Sequence, residues 1–335
     1  MPRRIYHRFA EALTPWGRRT FYSDVLAQSA LLIIMSGGTP QHVSDLISGL
    51  LTALPDDRFE VYHPVWSPFL ACGVFLLDRQ VAIFPSAIIE PDVLGSLPAI
   101  VHRIPLEIPP TTWPRVPYRA SRMLALAKNA HDEMEDLIGP YVMSEAVASA
   151  RQQLVSFIPH RSAPSSCSGK IRHFFGGSLT VNGLIDFLSE EFDSLNQRIY
   201  FQGTFGLDHT SLIRWFGERA SLAGVDVDFY HCEWDSSRVD HLGIPGLGLG
   251  VTLGTAPHAI TPRATDLIID MNEWLGPHSL ELLPLLQAYQ MGVNRALTHL
   301  AAEALFPAAD TSNPPSTAHD VRVIEKILSW VLILS

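Results

Sequence analysis

Short apolar runs alternate along this chain with longer stretches whose apolar positions recur every three or four residues. Leu31 to Met35 and Ile199 to Phe201 have the length and branching of buried strands. A glycine-containing turn follows each, and then a helical pattern over Ser44 to Ala53 or Ser211 to Leu222. Further strands are predicted at Arg58 to His63 and Val225 to His231, then at Gln80 to Phe84 and Leu247 to Leu253. Alternation of strand and helix predicts a mostly parallel sheet with helices on both faces. Ligands of such sheets gather at the carboxyl ends of the strands. The longest apolar candidates, Val25 to Met35 (broken by Gln28 and Ser29) and Ile327 to Leu334, fall short of the roughly 20 residues a bilayer span needs, and are expected to be buried elements.

The pattern occurs twice. Sliding the chain by 166 residues sets Ile5, His7, Phe9, Leu13, Thr14 and Gly17 on identical residues at Ile171, His173, Phe175, Leu179, Thr180 and Gly183. The register continues through Phe21/Phe187, Ser23/Ser189, Ile33/Ile199, Gly37/Gly203, Leu46/Leu212 and Ile47/Ile213. After a shift of two it resumes with Tyr62-His63 and Trp66 against Tyr230-His231 and Trp234, and later with His131 and Glu135 against His299 and Glu303. A tandem duplication follows: a first repeat over 1–158, a Ser-, Pro- and Gly-rich connection over 159–170, and a second repeat over 171–335 that ends in a helix. A second loop-like stretch, Asp310 to Thr317, precedes that helix.

Composition agrees with two packed domains. The 335 residues are 47% hydrophobic and 17% charged, and 24 basic against 34 acidic side chains give a net charge of −10. That balance argues against nucleic acid or an anionic membrane as partner. Cys72, Cys167 and Cys232 are too widely spaced for a disulfide framework or a zinc knuckle. The opening Met1 to Arg8 is basic with no apolar core behind it, unlike a secretory signal. The expectation is a cytoplasmic protein.

A strand, a Gly-rich turn and a helix in that order is the setting of the phosphate loop G-x-x-x-x-G-K-[ST]. The matching octets run from Gly37-Gly38 to Ser44 and from Gly203 through Gly206, Asp208 and His209 to Thr210, with Ser211 following. Here, in the repeat opening His173-Phe174-Phe175-Gly176-Gly177, and in the stretch Tyr230-His231-Cys232 through Gly254-Thr255-Ala256-Pro257-His258, the chain resembles a bacterial family of tandem P-loop proteins, ATPase-like or nucleotide-kinase-like. The resemblance covers nearly the whole chain. It implies a P-loop NTPase-like α/β fold in each half, with each mostly parallel sheet sandwiched by helices, and binding of ATP with Mg²⁺.

The departures from that pattern bear on chemistry. The first Gly and the final hydroxyl, Ser44 or Thr210, are present in both octets; the second Gly and the Lys are absent from both. Val43 offers neither charge nor donor in the lysine's place, Pro40 deletes one N–H, and His42 puts a side chain where Gly would admit a phosphate. In the second loop His209 brings one donor, and Asp208 beside it repels a phosphate oxygen about 4 Å away by about 4 kcal/mol at an effective dielectric of about 20. The Mg²⁺-binding acid expected at a strand end is replaced by Leu253 and by Phe84-Pro85; Asp78, Glu90, Asp266 and Asp270 are unselected substitutes.

Other signals have plainer readings. His131-x-x-x-Glu135 and His299-x-x-x-Glu303 place a nitrogen and a carboxylate on one helical face, as metal binding or acid–base work would need, yet a hydrogen bond to a neighbouring element serves as well. His63 and His231 end strands at the ligand edge, where a backbone carbonyl can satisfy them. His258 sits in a Gly- and Pro-bounded loop and is a binding candidate. Gly246 to Gly250 lacks dinucleotide-fingerprint spacing and reads as a strand with close backbone packing. Trp66 and Trp234 read as packing residues. No G-x-S-x-G elbow occurs. The sum is a degenerate tandem P-loop protein that binds a nucleotide or other anion weakly or acts as a scaffold. The alternative is a weak ATPase or nucleotide kinase using the second loop. Filling of the loop hollow by Phe205, Leu207 or Pro40 would close the site.

Overall fold

In a computed structural model, residues 5–89, 100–109, 113, 118–159, 168–203, 206–255, 260–276, 281–303 and 318–333 are described. The protein is α/β, with two mixed six-stranded sheets of the same topology. In the first half the strands are β1 (Ile5–Arg8), β4 (Leu31–Ser36), β5 (Phe59–Tyr62), β6 (Gly73–Leu76), β7 (Val81–Pro85) and β8 (Ile100–Pro105), in the order β1-β5-β6-β7-β4-β8. β9 (Ile171–Phe175), β13 (Val227–His231), β14 (Val239–Ile244), β15 (Leu249–Leu253), β12 (Gln197–Gln202) and β16 (Leu267–Asp270) follow each other in the equivalent positions of the second sheet. β6 and β14 run against both their neighbours, and the remaining pairs are parallel.

Hairpins β2–β3 (Glu11–Thr14, Gly17–Thr20) and β10–β11 (Gly177–Thr180, Gly183–Asp186) also recur. Thr14 Oγ1 donates to the Gly17 carbonyl and Thr180 Oγ1 to that of Gly183, each at 2.8 Å. The conserved spacing of Thr and Gly between the copies is therefore a turn requirement, with Gly17 and Gly183 at φ of 96° and 104°.

The helices are α1 (Tyr22–Leu26), α2 (Pro40–Ala53), α3 (Tyr118–Ile138), α4 (Ser144–Val155), α5 (Leu188–Phe192), α6 (Thr210–Leu222), α7 (Leu283–Glu303) and α8 (Ala318–Leu332). None among the described residues is long and apolar enough to cross a membrane. Helices do not sandwich the sheets evenly. One face of each carries two long helices, and on the other a helix of five residues packs: Tyr22 of α1 against Phe84, and Phe192 of α5 against Tyr230. Gly250 in β15 makes room for Phe192, since a Cβ there would lie 2.5 Å from that ring. The preceding Pro245–Leu247 is a 3-10 turn, with Gly248 left-handed at φ 59°, so only the end of the Gly246 to Gly250 run is strand.

Compact units and sequence repeats are composed differently. One unit comprises Met1–Glu11, Thr20–Val116 and Ala301–Ser335, and the other Ala12–Arg19 and Pro117–Leu300. In the first unit Leu31, Ile33 and Met35 of β4 pack with Val43, Leu46 and Ile47 of α2 and with Val323, Ile327 and Val331 of the terminal helix α8. The stripe 323, 327, 331 has the i, i+4, i+8 spacing that turns one helical face inward. In the second unit Ile199 and Phe201 of β12 pack with Leu212, Ile213 and Phe216 of α6 and with Ala150 and Leu154 of α4, from the first repeat's sequence. Each sheet is thus covered by the last helix of the other copy. α7 also lies close to α3, because Gly292 has no Cβ to strike the Ala127 nitrogen at 2.7 Å.

The exchange predicts where truncations act. Ile327→Ala removes a fully buried side chain and should cost about 2–5 kcal/mol. Residue-resolved hydrogen exchange should then show lost protection in β4 with β12 unaffected, whereas Leu154→Ala should do the reverse. Loss in β12 for Ile327→Ala would contradict the exchange.

Candidate functional site

The two octets lie where the topology predicts, between the carboxyl end of β4 or β12 and the first turn of α2 or α6. In the first, Gly37 and Gly38 take φ values of 103° and 81°, which only glycine adopts without strain. Thr39 caps α2 by accepting the His42 N–H at its Oγ1, and Pro40 fills the first helical position, where a missing N–H costs nothing. The Gly38 N–H donates to the Ile108 carbonyl at 2.8 Å and the Val43 N–H to that of Thr39 at 3.0 Å. Ser44 Oγ accepts the Ala71 N–H at 3.0 Å. The His42 ring is buried, with Nε2 2.8 Å from Asp320 Oδ1 at the start of α8.

The second loop spends its groups differently. The His209 N–H donates to the Leu207 carbonyl at 3.0 Å, and Thr210 Oγ1 to that of Val239 at 3.3 Å. Asp208 is exposed and its Oδ1 stands 3.4 Å from the Ser211 nitrogen, so its carboxylate faces the N–H an anion would use. His209 is buried and turned inward: Nε2 is 2.9 Å from Asp240 Oδ1 in β14, and Nδ1 is 3.2 Å from the Leu207 carbonyl. The sequence places His209 as one donor towards a phosphate, whereas both ring nitrogens face acceptors inside the protein. Burial alone would raise Asp240, but the His209 hydrogen bond and charge, with Arg238, hold it well below the usual carboxylate range. Removing one member of such a buried pair costs about 3–5 kcal/mol.

In each half an apolar side chain from the same place in the fold packs against a loop glycine. Leu106 directly follows β8, and a Cβ on Gly38 would lie 2.8 Å from its Cδ1. Met271 directly follows β16, and a Cβ on Gly203 would lie 2.8 Å from its Cε. Leu207 packs at the same glycine, 3.2 Å from that same point, and is itself buried. Gly206, at φ 92°, presses on Met134 and Ile138 of α3.

The other candidates fall into structural roles. Register pairs Leu253 with Phe201 and Pro85 with Met35, so the positions of the expected acid do flank the loop strands, but they are apolar. Asp78 pairs with Arg58, Asp266 with the buried Arg198, and Asp270 caps the turn that follows it. Trp66 meets Trp113 and Trp234 meets Tyr289, both edge to face. Glu135 accepts from Arg238 Nη1 at 2.5 Å, tying α3 to β14's approach. His258 and Glu90, with Thr204 and Phe205 of the second octet, lie outside the described residues.

Two features escaped sequence reasoning. Asp320 and Asp240 lie 278 and 31 residues from the histidines they bind, with no motif linking them. The repeat-matched histidines also pair with one another: His7 Nδ1 is 2.9 Å from His63 Nε2, and His173 Nδ1 is 2.8 Å from His231 Nε2. His63 Nδ1 faces the Leu70 carbonyl at 2.9 Å and so carries its proton there, which leaves Nε2 to accept from His7. Recurrence of both histidines in the duplication was the available signal.

Comparison adds no external identity: no protein-family model, curated protein or solved structure matches the chain.

Burial chiefly lowers His63, His131 and His231 to about 4, with His7, Arg238 and His173 respectively adding to it. An unfolded histidine takes up a proton near pH 6.5, so over the window from about 6.5 down to 4 the unfolded chain binds protons the folded chain refuses. Stability is full above this window and should fall within it, by up to roughly 2 kcal/mol per histidine between pH 7 and pH 5. Urea midpoints at those two pH values measure the loss, and His63→Gln should shrink it. A midpoint independent of pH would refute the assignment.

Proposed function

We propose that this chain is a tandem α/β protein of P-loop type whose nucleotide sites have closed, and that it works as a binding or scaffolding module without ATPase or kinase turnover. The observation that supports the reading is the shared packing of Leu106 against Gly38 and of Met271 against Gly203, each from the residue after the last strand of its sheet. A phosphate loop binds by main-chain N–H groups that converge on the anion. Here those of Gly38, His42, Val43 and His209 have acceptors within the protein.

Chemistry points the same way. Neither loop offers a lysine, and the two histidines that stand nearest its place, His42 and His209, are directed to Asp320 and Asp240. A weak ATPase or nucleotide kinase built on the second loop would need His209 and Thr210 to face the phosphates, and both are bonded elsewhere. ATP with Mg²⁺ is therefore not a working cofactor under this reading.

Calorimetric titration of the full chain with Mg-ATP tests it. No saturable heat at millimolar nucleotide, together with no phosphate release, is the expected result. Micromolar binding that disappears in Thr210→Ala would overturn the reading.

A further inference from the structure

Within two turns α3 carries Lys128, His131, Asp132 and Glu135, and this stripe meets the connection from β13 to β14. One ligand-capable atom from each of His131, Asp132 and Glu135 lies within 4.8 Å of those of the other two. His131 Nδ1 and Glu135 Oε2 are 3.9 Å apart, too far for a hydrogen bond. Two donors that share a tetrahedral ion at about 2.0–2.2 Å stand ~3.4 Å apart, so a small side-chain shift brings this pair to the spacing of metal ligands. We propose that His131, Asp132 and Glu135 form a binding site for a divalent transition-metal ion, with a nitrogen and oxygen donor set suited to Zn²⁺.

The ion pairs that the two carboxylates already make are compatible with this. Each cation also interacts with a second carboxylate. Lys128 Nζ is 2.7 Å from Asp132 and 3.0 Å from Asp235, so it keeps Asp235 when Asp132 turns to a metal. Arg238 bonds Glu135 through Nη1 and interacts electrostatically with Asp240, while its buried Nη2 has no hydrogen-bond partner among the described residues. Two carboxylates and one neutral imidazole also balance a 2+ charge.

Protonation favours the same use. Burial, reinforced by Arg238, lowers His131 to about 4, which leaves the imidazole neutral with a lone pair at neutral pH and no proton to displace. Burial raises Glu135, and a cation would relieve that desolvated carboxylate. The three side chains are 18%, 45% and 22% exposed in the order His131, Asp132, Glu135. A bound ion would therefore keep a position open to solvent, like three-ligand zinc sites and unlike closed structural ones.

The site does not rest on the closed-loop reading, since none of its donors belongs to either octet. It is tested on the full chain, freed of metal by a chelator and dialysed, by calorimetric titration with Zn²⁺ in the presence of excess Mg²⁺. The expected result is one ion bound per chain despite the Mg²⁺, with affinity reduced about tenfold or more in both His131→Ala and Asp132→Asn. Asp132 is nearly half exposed and Lys128 retains Asp235, so the second variant should keep its fold, checked by circular dichroism. His63→Gln, which removes half of a two-donor histidine pair, should leave the affinity unchanged. Absence of saturable Zn²⁺ binding, or binding that both site variants retain, would overturn the proposal.

Discussion

The second loop is organised by the buried bond between His209 and Asp240, 2.9 Å long, and much of the surrounding geometry follows from it. A carboxylate in that position cannot stay charged without a partner, because burial of an unpaired charge costs several kcal/mol. His209 supplies the partner and Arg238 a second favourable charge. With the ring turned inward, the His209 backbone N–H bonds the Leu207 carbonyl, and Leu207 and Met271 both pack against Gly203. The first loop reaches the same end with other residues: His42 is drawn to Asp320, and Leu106 covers Gly38.

The sequence repeat accounts for what the halves share, while different residues pack the two loops. Strand order, the Thr–Gly hairpins and the histidine pairs recur nearly unchanged, all being local or cross-strand features. The closing carboxylates do not recur: one comes from the terminal helix and the other from a strand. Exchange of the last helices gives the first loop its partner, because Asp320 arrives on α8 only when α8 packs on the first sheet.

The fold was largely legible where periodicity and identity spoke. Leu31 to Met35, Ile199 to Phe201 and the helices that follow came out as strands and helices because buried apolar runs have a clear period. β6 and β14 did not, since Gly73 to Leu76 is a short apolar run with no alternation and Val239 to Ile244 buries Asp240 and His241 among apolar residues. A buried pair hides the polar side chain from any hydrophobic pattern. Destination of the terminal helix was equally hidden, for the stripe Val323, Ile327, Val331 fits either sheet by periodicity alone. Of the site, the positions of both octets and the absence of a lysine from each could be read in the chain; the inward turn of His42 and His209 could not, because their acceptors are fixed by tertiary packing.

Amide exchange at Gly38 and His209, followed by NMR with and without millimolar Mg-ATP, reads whether the loop N–H groups are already bonded within the protein. Slow exchange at both positions, unchanged by nucleotide, is the predicted result. Rapid exchange at both in the free protein, with protection that arises only when nucleotide is added, would contradict it.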